Sequence, residues 1–302
     1  MVASHPLLTE PGYVTDGGLE TDLVFHHDFD LPEFAAFPLL TDERGRAVLD
    51  GYYDSYVDMA HRAGLGVMLE TPTWRANEDW GTRVGYDAPA LDQANRHAVD
   101  LVRQAAARSP HTPALISGIV GPRGDGYVVG DRPTVDEAAA YHSAQVASLT
   151  AAGVDLVHAM TITTPEEAMG VVTAARSAGI PVAISFTVEV DGRLPDGAPL
   201  GESIEAVDEM ASPDWFGINC SHPTHIATAL DGGGWQERVV SLRPNASTMS
   251  HAELDAMEVL DPGDLGLLTA SFRDIRAQFP NLSIVGGCCG TSAGHVAALW
   301  NL

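Results

Sequence analysis

Short apolar runs recur along this chain, each closed by a polar or glycine-rich stop, and most lead into a stretch of helical periodicity. The runs fall at 12–15, 66–70, 114–119, 156–159, 182–186, 215–218, 239–242 and 283–285. Runs of this length, bounded by turn residues, fit buried parallel strands. Between them, 47–63, 91–107, 136–151 and 166–178 carry the pattern of amphipathic helices. Thr134 with Glu137 and Thr164 with Glu167 predict capping boxes, the second with Pro165 in the first helical position. Gly64, Gly153 and Gly179 stand where such helices should stop. Eight strands, most alternating with a helix, predict an α/β fold that closes on itself. The expected architecture is a (β/α)8 barrel of the TIM type, one domain over 1–302. No G-x-G-x-x-G follows the first strand, which argues against an open dinucleotide-binding sheet.

Composition sharpens this picture in two ways. Apolar residues make up 45% and charged residues 19% of the 302, which suits a buried globular core. No run approaches the roughly 18 apolar residues of a membrane helix, and MVASHPLLTE lacks the features of a secretory leader. A cytoplasmic protein without a membrane partner is expected. The net charge is −25, from 41 acidic against 16 basic residues. Such a surface repels phosphate backbones, so nucleic acid is not an expected partner, and a cationic small molecule is mildly favoured. A generally acidic proteome explains the charge equally well.

In barrels of this type, chemistry sits at the C-terminal ends of the strands. Strand one ends in Asp16-Gly17-Gly18-Leu19-Glu20-Thr21 and strand two in Glu70-Thr71-Pro72-Thr73-Trp74. Strand six ends in Asn219-Cys220, and strand eight in Gly286-Gly287-Cys288-Cys289-Gly290. All three cysteines of the chain therefore fall on one rim. An odd count with two adjacent residues is no disulfide framework. Strands six and eight have one neighbour between them, so their ends lie roughly 10 Å apart at a strand spacing of about 4.8 Å. Inward-leaning side chains from both can meet at one ion. Three thiolates leave one of zinc's four positions open, the pattern of a catalytic site. The competing reading is three small buried hydrophobes, as free cysteines often are. His222 and His225, just beyond Cys220, are either a further ligand supply or plain loop residues.

Together, Asp16-Gly17-Gly18-Leu19-Glu20-Thr21, Gly217-Ile218-Asn219-Cys220 and Gly286-Gly287-Cys288-Cys289-Gly290-Thr291 resemble the homocysteine S-methyltransferase family, over nearly the whole chain. The resemblance implies a barrel in which Cys220, Cys288 and Cys289 bind Zn2+, and zinc binds a small-molecule thiol acceptor. Coordination would remove the thiol proton, and the thiolate would then attack the methyl group of an onium donor. It also implies that Asp16 orients the acceptor's amino group while the N–H groups of Gly17, Gly18 and Leu19 receive its carboxylate. For Asp16, a turn-stabilising side-chain contact is the alternative. Trp74 either offers its face to the donor's cation or packs over the barrel mouth. Asn219, and less strongly Asn245, would support the zinc shell or the donor.

The sequence departs from the family at one point. Where relatives end strand four with a carboxylate that holds the acceptor's ammonium, this chain reads Ala159-Met160-Thr161-Ile162-Thr163. Met160 removes a charge-assisted partner, for which Glu166 or Glu167 would have to compensate. Expected products are methionine or another thioether. A sulfonium donor, S-methylmethionine or S-adenosylmethionine, is favoured because no cobalamin or folate domain accompanies the barrel. The alternatives are a different thiol, a zinc hydrolase or lyase, and a zinc-binding barrel without methyl transfer.

Overall fold

Eight parallel strands, each bonded to its sequence neighbour, form a sheet that closes where β8 pairs with β1. They are β1 (Tyr13–Val14), β2 (Gly66–Glu70), β3 (Ala114–Val120), β4 (Leu156–Ile162), β5 (Val182–Phe186), β6 (Trp215–Asn219), β7 (Val239–Arg243) and β8 (Ile284–Val285). The computed structural model describes residues 5–130 and 132–302. Helices α1 (Leu19–Phe25), α2 (Glu43–Ala63), α3 (Glu78–Arg83), α4 (Ala88–Arg108), α5 (Val135–Ala152) and α6 (Pro165–Ala178) cover the first half of the barrel. The second half carries α7 (Leu200–Ala211), α8 (Pro223–Ala229), α9 (His251–Asp255), α10 (Leu265–Arg276) and α11 (Ala293–Leu299). Among these described residues, no helix is long and apolar enough to cross a membrane.

Local chemistry explains the boundaries. Thr134 and Glu137 form the expected reciprocal capping box at the start of α5. At α6 only half of one forms. Thr164 accepts from the Glu167 N–H, but the Glu167 carboxylate turns away to the Arg123 N–H at 2.7 Å and His142 Nε2 at 3.0 Å. Glu167 is thus committed elsewhere and does not stand in for a carboxylate at position 160. Gly64, Gly153 and Gly179 close α2, α5 and α6 in the left-handed conformation. β4 runs three residues past its apolar core, and its register against β5 shifts between Ala159 and Ile162. That irregularity carries Met160 and Thr161 onto the rim.

The barrel's interior is divided along its axis. At the end where the strands begin, Leu8, Tyr13, Met68, Leu156, Ala183, Trp215 and Ile284 form an apolar plug. Further along, buried Glu70, Ser117, His158, Ser185, Ser241 and Arg243 replace it with polar groups. A larger apolar cluster lies between the sheet and its helices.

Candidate active site at the strand ends

The loop after β8 continues in step beside the extension of β7. The Gly286 N–H donates to Leu242 O, the Cys288 N–H to Pro244 O, and the Ala246 N–H to Cys289 O. On the other side Cys220 turns inward with φ +56°, an uncommon conformation for a residue with a side chain. The Cα atoms of Cys220 and Cys288 consequently lie 5.3 Å apart, about half the separation expected from strand spacing. The Sγ atoms of all three cysteines fall within 4.8 Å of one another. The Cys220 and Cys288 sulfurs are in direct contact, and Cys289 is a free thiol 3.8 Å from Cys220 Sγ.

The same donor set fits a zinc ion. Tetrahedral thiolates about 2.3 Å from a metal stand roughly 3.8 Å from one another, the spacing of Cys220 and Cys289. Burial, then the Glu20 charge, pushes the Cys289 thiol up to about 11, so its thiolate requires a nearby cation at neutral pH. Tyr127 Oη donates to Cys220 Sγ at 3.4 Å and lies 3.9 Å from Cys289 Sγ. Its ring stacks on His251, whose Nε2 bonds Cys220 O and whose Nδ1 lies 2.8 Å from Glu189. Asn245 Nδ2 donates to the same Cys220 carbonyl at 3.0 Å. Asn219 accepts from the Thr161 N–H and donates to Thr161 Oγ1, both at 2.8 Å, with its amide 4.0 Å from Cys288 Sγ. Thr161, held this way, has φ +60°.

Beside the sulfurs is a cavity of about 70 Å3 lined by Asp16, Glu20, Glu70, Met160, Asn219 and Arg243, among others. Buried Arg243 organises it. Its Nη1 lies 2.7 Å from Asp16 Oδ1 and in contact with Glu70, and its other donors reach Gly287 O and Gly17 O. Tyr52 Oη donates to Asp16 Oδ2 at 3.2 Å, so both Asp16 oxygens have partners. Burial raises Asp16, with Arg243 opposing. Asp16 thus faces the cavity as one side of an ion pair with Arg243. Glu20 is pushed up to about 7, first by burial and then by Asp16. Met160 lines the cavity where a carboxylate was missed.

The glycine pair packs directly under the cysteine loop. A Cβ on Gly18 would stand 2.5 Å from Cys288 O, and one on Gly17 2.6 Å from Thr291 O. Gly17, Gly18 and Leu19 all line the cavity, but the Gly18 N–H donates to Thr291 O and so is not free for an acceptor carboxylate. Trp74 donates from Nε1 to Met160 O, and Arg75 covers one face of its ring at 3.9 Å. His222 caps α8 and His225 bonds Thr248 O. Neither lines this cavity, and neither belongs to the sulfur cluster.

The sequence model of the homocysteine S-methyltransferase family matches residues 13–302. This chain belongs to that family. Its closed eight-stranded barrel agrees with the fold expected from the sequence. Curated relatives include the methionine synthases of Mycobacterium leprae and Mycobacterium tuberculosis, each 34% identical over 119 residues. Those matches cover 39% of this chain and 10% of each synthase. Among solved structures, the oxidised form of the Escherichia coli homocysteine methyltransferase MmuM superposes with TM-score 0.77 at 22% identity, over 98% of both chains. Its metallated form gives 0.73 at 22% identity over 96% of both. These likenesses establish the fold. Arg243, Tyr127 and His251 were missed by sequence reasoning, because each lies on a different segment from the cysteine motifs. The signal for Arg243 was its charge at the end of an otherwise apolar strand.

Proposed function

We propose that this protein moves a methyl group from an onium donor to homocysteine or a closely related thiol, with Cys220, Cys288 and Cys289 holding Zn2+. The supporting observation is the convergence of three sulfurs from two distant segments beside a cavity that also holds Asp16, Gly17 and Leu19. A bound zinc ion would supply the positive charge that keeps the acceptor sulfur ionised. In the transfer, a lone pair of the acceptor sulfur forms the new S–CH3 bond. The donor's bond to that methyl breaks, its electrons stay with the donor, and the thiol proton is released to solvent.

The chain's own residues orient and shield. Tyr127 donates toward the sulfurs, Arg243 fixes the Asp16 and Glu70 carboxylates, and Asn219 holds the Thr161 backbone against the cavity. A second, larger cavity adjoins the first, and Thr21, Phe34, Trp74, Tyr127 and Cys289 line both. That arrangement lets donor and acceptor meet beside the Cys289 sulfur. Met160, with Asp16 already ion-paired, supports a second acceptor class: thiols whose ammonium is absent or differently placed.

The deciding experiment pairs metal analysis with mass-spectrometric product detection over a panel of thiols and onium donors. Cys288→Ser should lose zinc and lower turnover on the order of a thousandfold or more. Undiminished zinc stoichiometry in that variant rules the sulfur site out. Product without any thiol identifies a hydrolase instead.

A further inference from the structure

Arg75 follows Trp74 on the loop after β2 and is 6% exposed. Its guanidinium lies between two indoles, 3.9 Å from the Trp74 centroid and 3.6 Å from that of Trp80. Stacking of this kind engages the faces of the guanidinium and leaves the donors in its plane free. Among the described residues one such donor has a protein partner, Nη1 to Gly124 O at 3.1 Å. Nε is buried without a partner, and among the described residues no carboxylate lies within 4 Å of the group. Arg243 is equally buried but carries two carboxylates. Burying an unpaired charge is costly, and burial brings Arg75 down to about 10, with Asp125 the leading opposing charge.

The side chain lines the second cavity, whose volume is about 430 Å3 and which reaches Cys289. Phe25, Phe34 and Tyr127 give that cavity aromatic walls, and Glu33, Asp255 and Asp261 give it negative charge. The walls suit a cation, whereas the unpaired guanidinium calls for an anion with oxygens in one plane. A single ligand satisfies both if it carries the two charges at opposite ends.

Building on the methyl-transfer reading above, we propose that Arg75 binds the carboxylate of the onium methyl donor. Its onium centre would lie among the aromatic side chains toward Cys289, with its carboxylate across the edge of the guanidinium. Arg75 thereby becomes the residue that selects carboxylated donors.

The test uses the full-length protein, S-methylmethionine, its methyl ester and a dimethyl alkylsulfonium without a carboxylate. In Arg75→Gln, the KM for S-methylmethionine should rise about 10- to 100-fold, the loss expected for charge-assisted hydrogen bonds. The KM for the thiol, and the rates with the two uncharged-end donors, should stay within about twofold by the same reasoning. Arg75→Lys should recover part of the loss. Equal losses on all donors, or a rise in the thiol KM alone, would overturn the assignment. Equilibrium binding of S-methylmethionine and its ester separates this inference from the function itself. If the wild-type protein transfers no methyl group, the function is wrong. Preference for the free carboxylate in the wild type, lost in Arg75→Gln, would still support Arg75 as the carboxylate site. Equal binding by both proteins, or no binding by the wild type, refutes it.

Discussion

The two ends of the barrel interior are built from the same eight strands by opposite rules. Where the strands begin, Trp215, Tyr13, Met68 and their neighbours fill the space with apolar side chains. Where they end, a guanidinium, two carboxylates and three sulfurs crowd together, and Thr161 and Cys220 adopt φ of +60° and +56°. Close packing stabilises the first end by removing apolar surface from water. The second end carries buried charge, backbone strain and unpaired polar atoms such as Glu70 Oε1 and His158 Nδ1, all of which cost stability. The plug holds the strands in register so that the strained end keeps its shape.

Two substitutions should separate these roles. Trp215→Ala empties the plug and should cost about 3–5 kcal/mol in chemical denaturation, with turnover per folded molecule preserved. Arg243→Met leaves Asp16 and Glu70 without their counter-charge and should cost a similar 3–5 kcal/mol, with turnover lost as well. Equal activity in the two folded variants would erase the distinction between the ends.

How far this contrast is legible in the sequence depends on the kind of interaction. Period and punctuation disclose the strands, because an apolar run between turn residues has few other fates. The cysteines could be placed on one rim for the same reason, since Asn219-Cys220 and Gly286–Gly290 follow such runs. Their 5.3 Å approach could not be read, because it depends on the left-handed turn at Cys220 and on the loop after β8 being held beside the extension of β7. Arg243 was hidden for a related reason. A cation at a strand end reads as a surface charge until β1 and β2 are known to present Asp16 and Glu70 to it. Glu167 shows the converse, a local capping signal overridden by tertiary partners in His142 and the Arg123 backbone.

Between plug and rim lies His158, whose pH response reports on the boundary. Burial brings its pKa down to about 3 from 6.5. Its Nε2 bonds Ser185 Oγ at 2.7 Å, and its Nδ1 faces Glu70 Oε1 at 3.7 Å. Below pH 6.5 the unfolded chain protonates this histidine, while the folded chain does not until about pH 3. Its contribution to stability is therefore complete above 6.5 and declines as pH falls through that window, by up to about 1.4 kcal/mol per unit. Between pH 6 and 5 the wild-type protein should lose about 1 kcal/mol more than His158→Gln, measured by urea unfolding. Parallel pH profiles would mean that the histidine is already charged in the folded state.

The smallest effect concerns the strained backbone at Thr161. A β-branched residue at φ +60° costs on the order of 1–3 kcal/mol, and the Asn219 side chain holds it there through two hydrogen bonds. Thr161→Ala removes one of those bonds and keeps the strain, whereas Thr161→Gly removes both the bond and the strain. At ordinary positions glycine is less stable than alanine by up to about 1 kcal/mol. Here the order should reverse, with the glycine variant about 1 kcal/mol more stable than the alanine variant in urea. Because glycine also frees the segment beside Met160, the same variant should bind the acceptor thiol more weakly despite its greater stability. Alanine more stable than glycine would show that this part of the rim is relaxed, and the strain assigned to the active end would then rest on Cys220 alone.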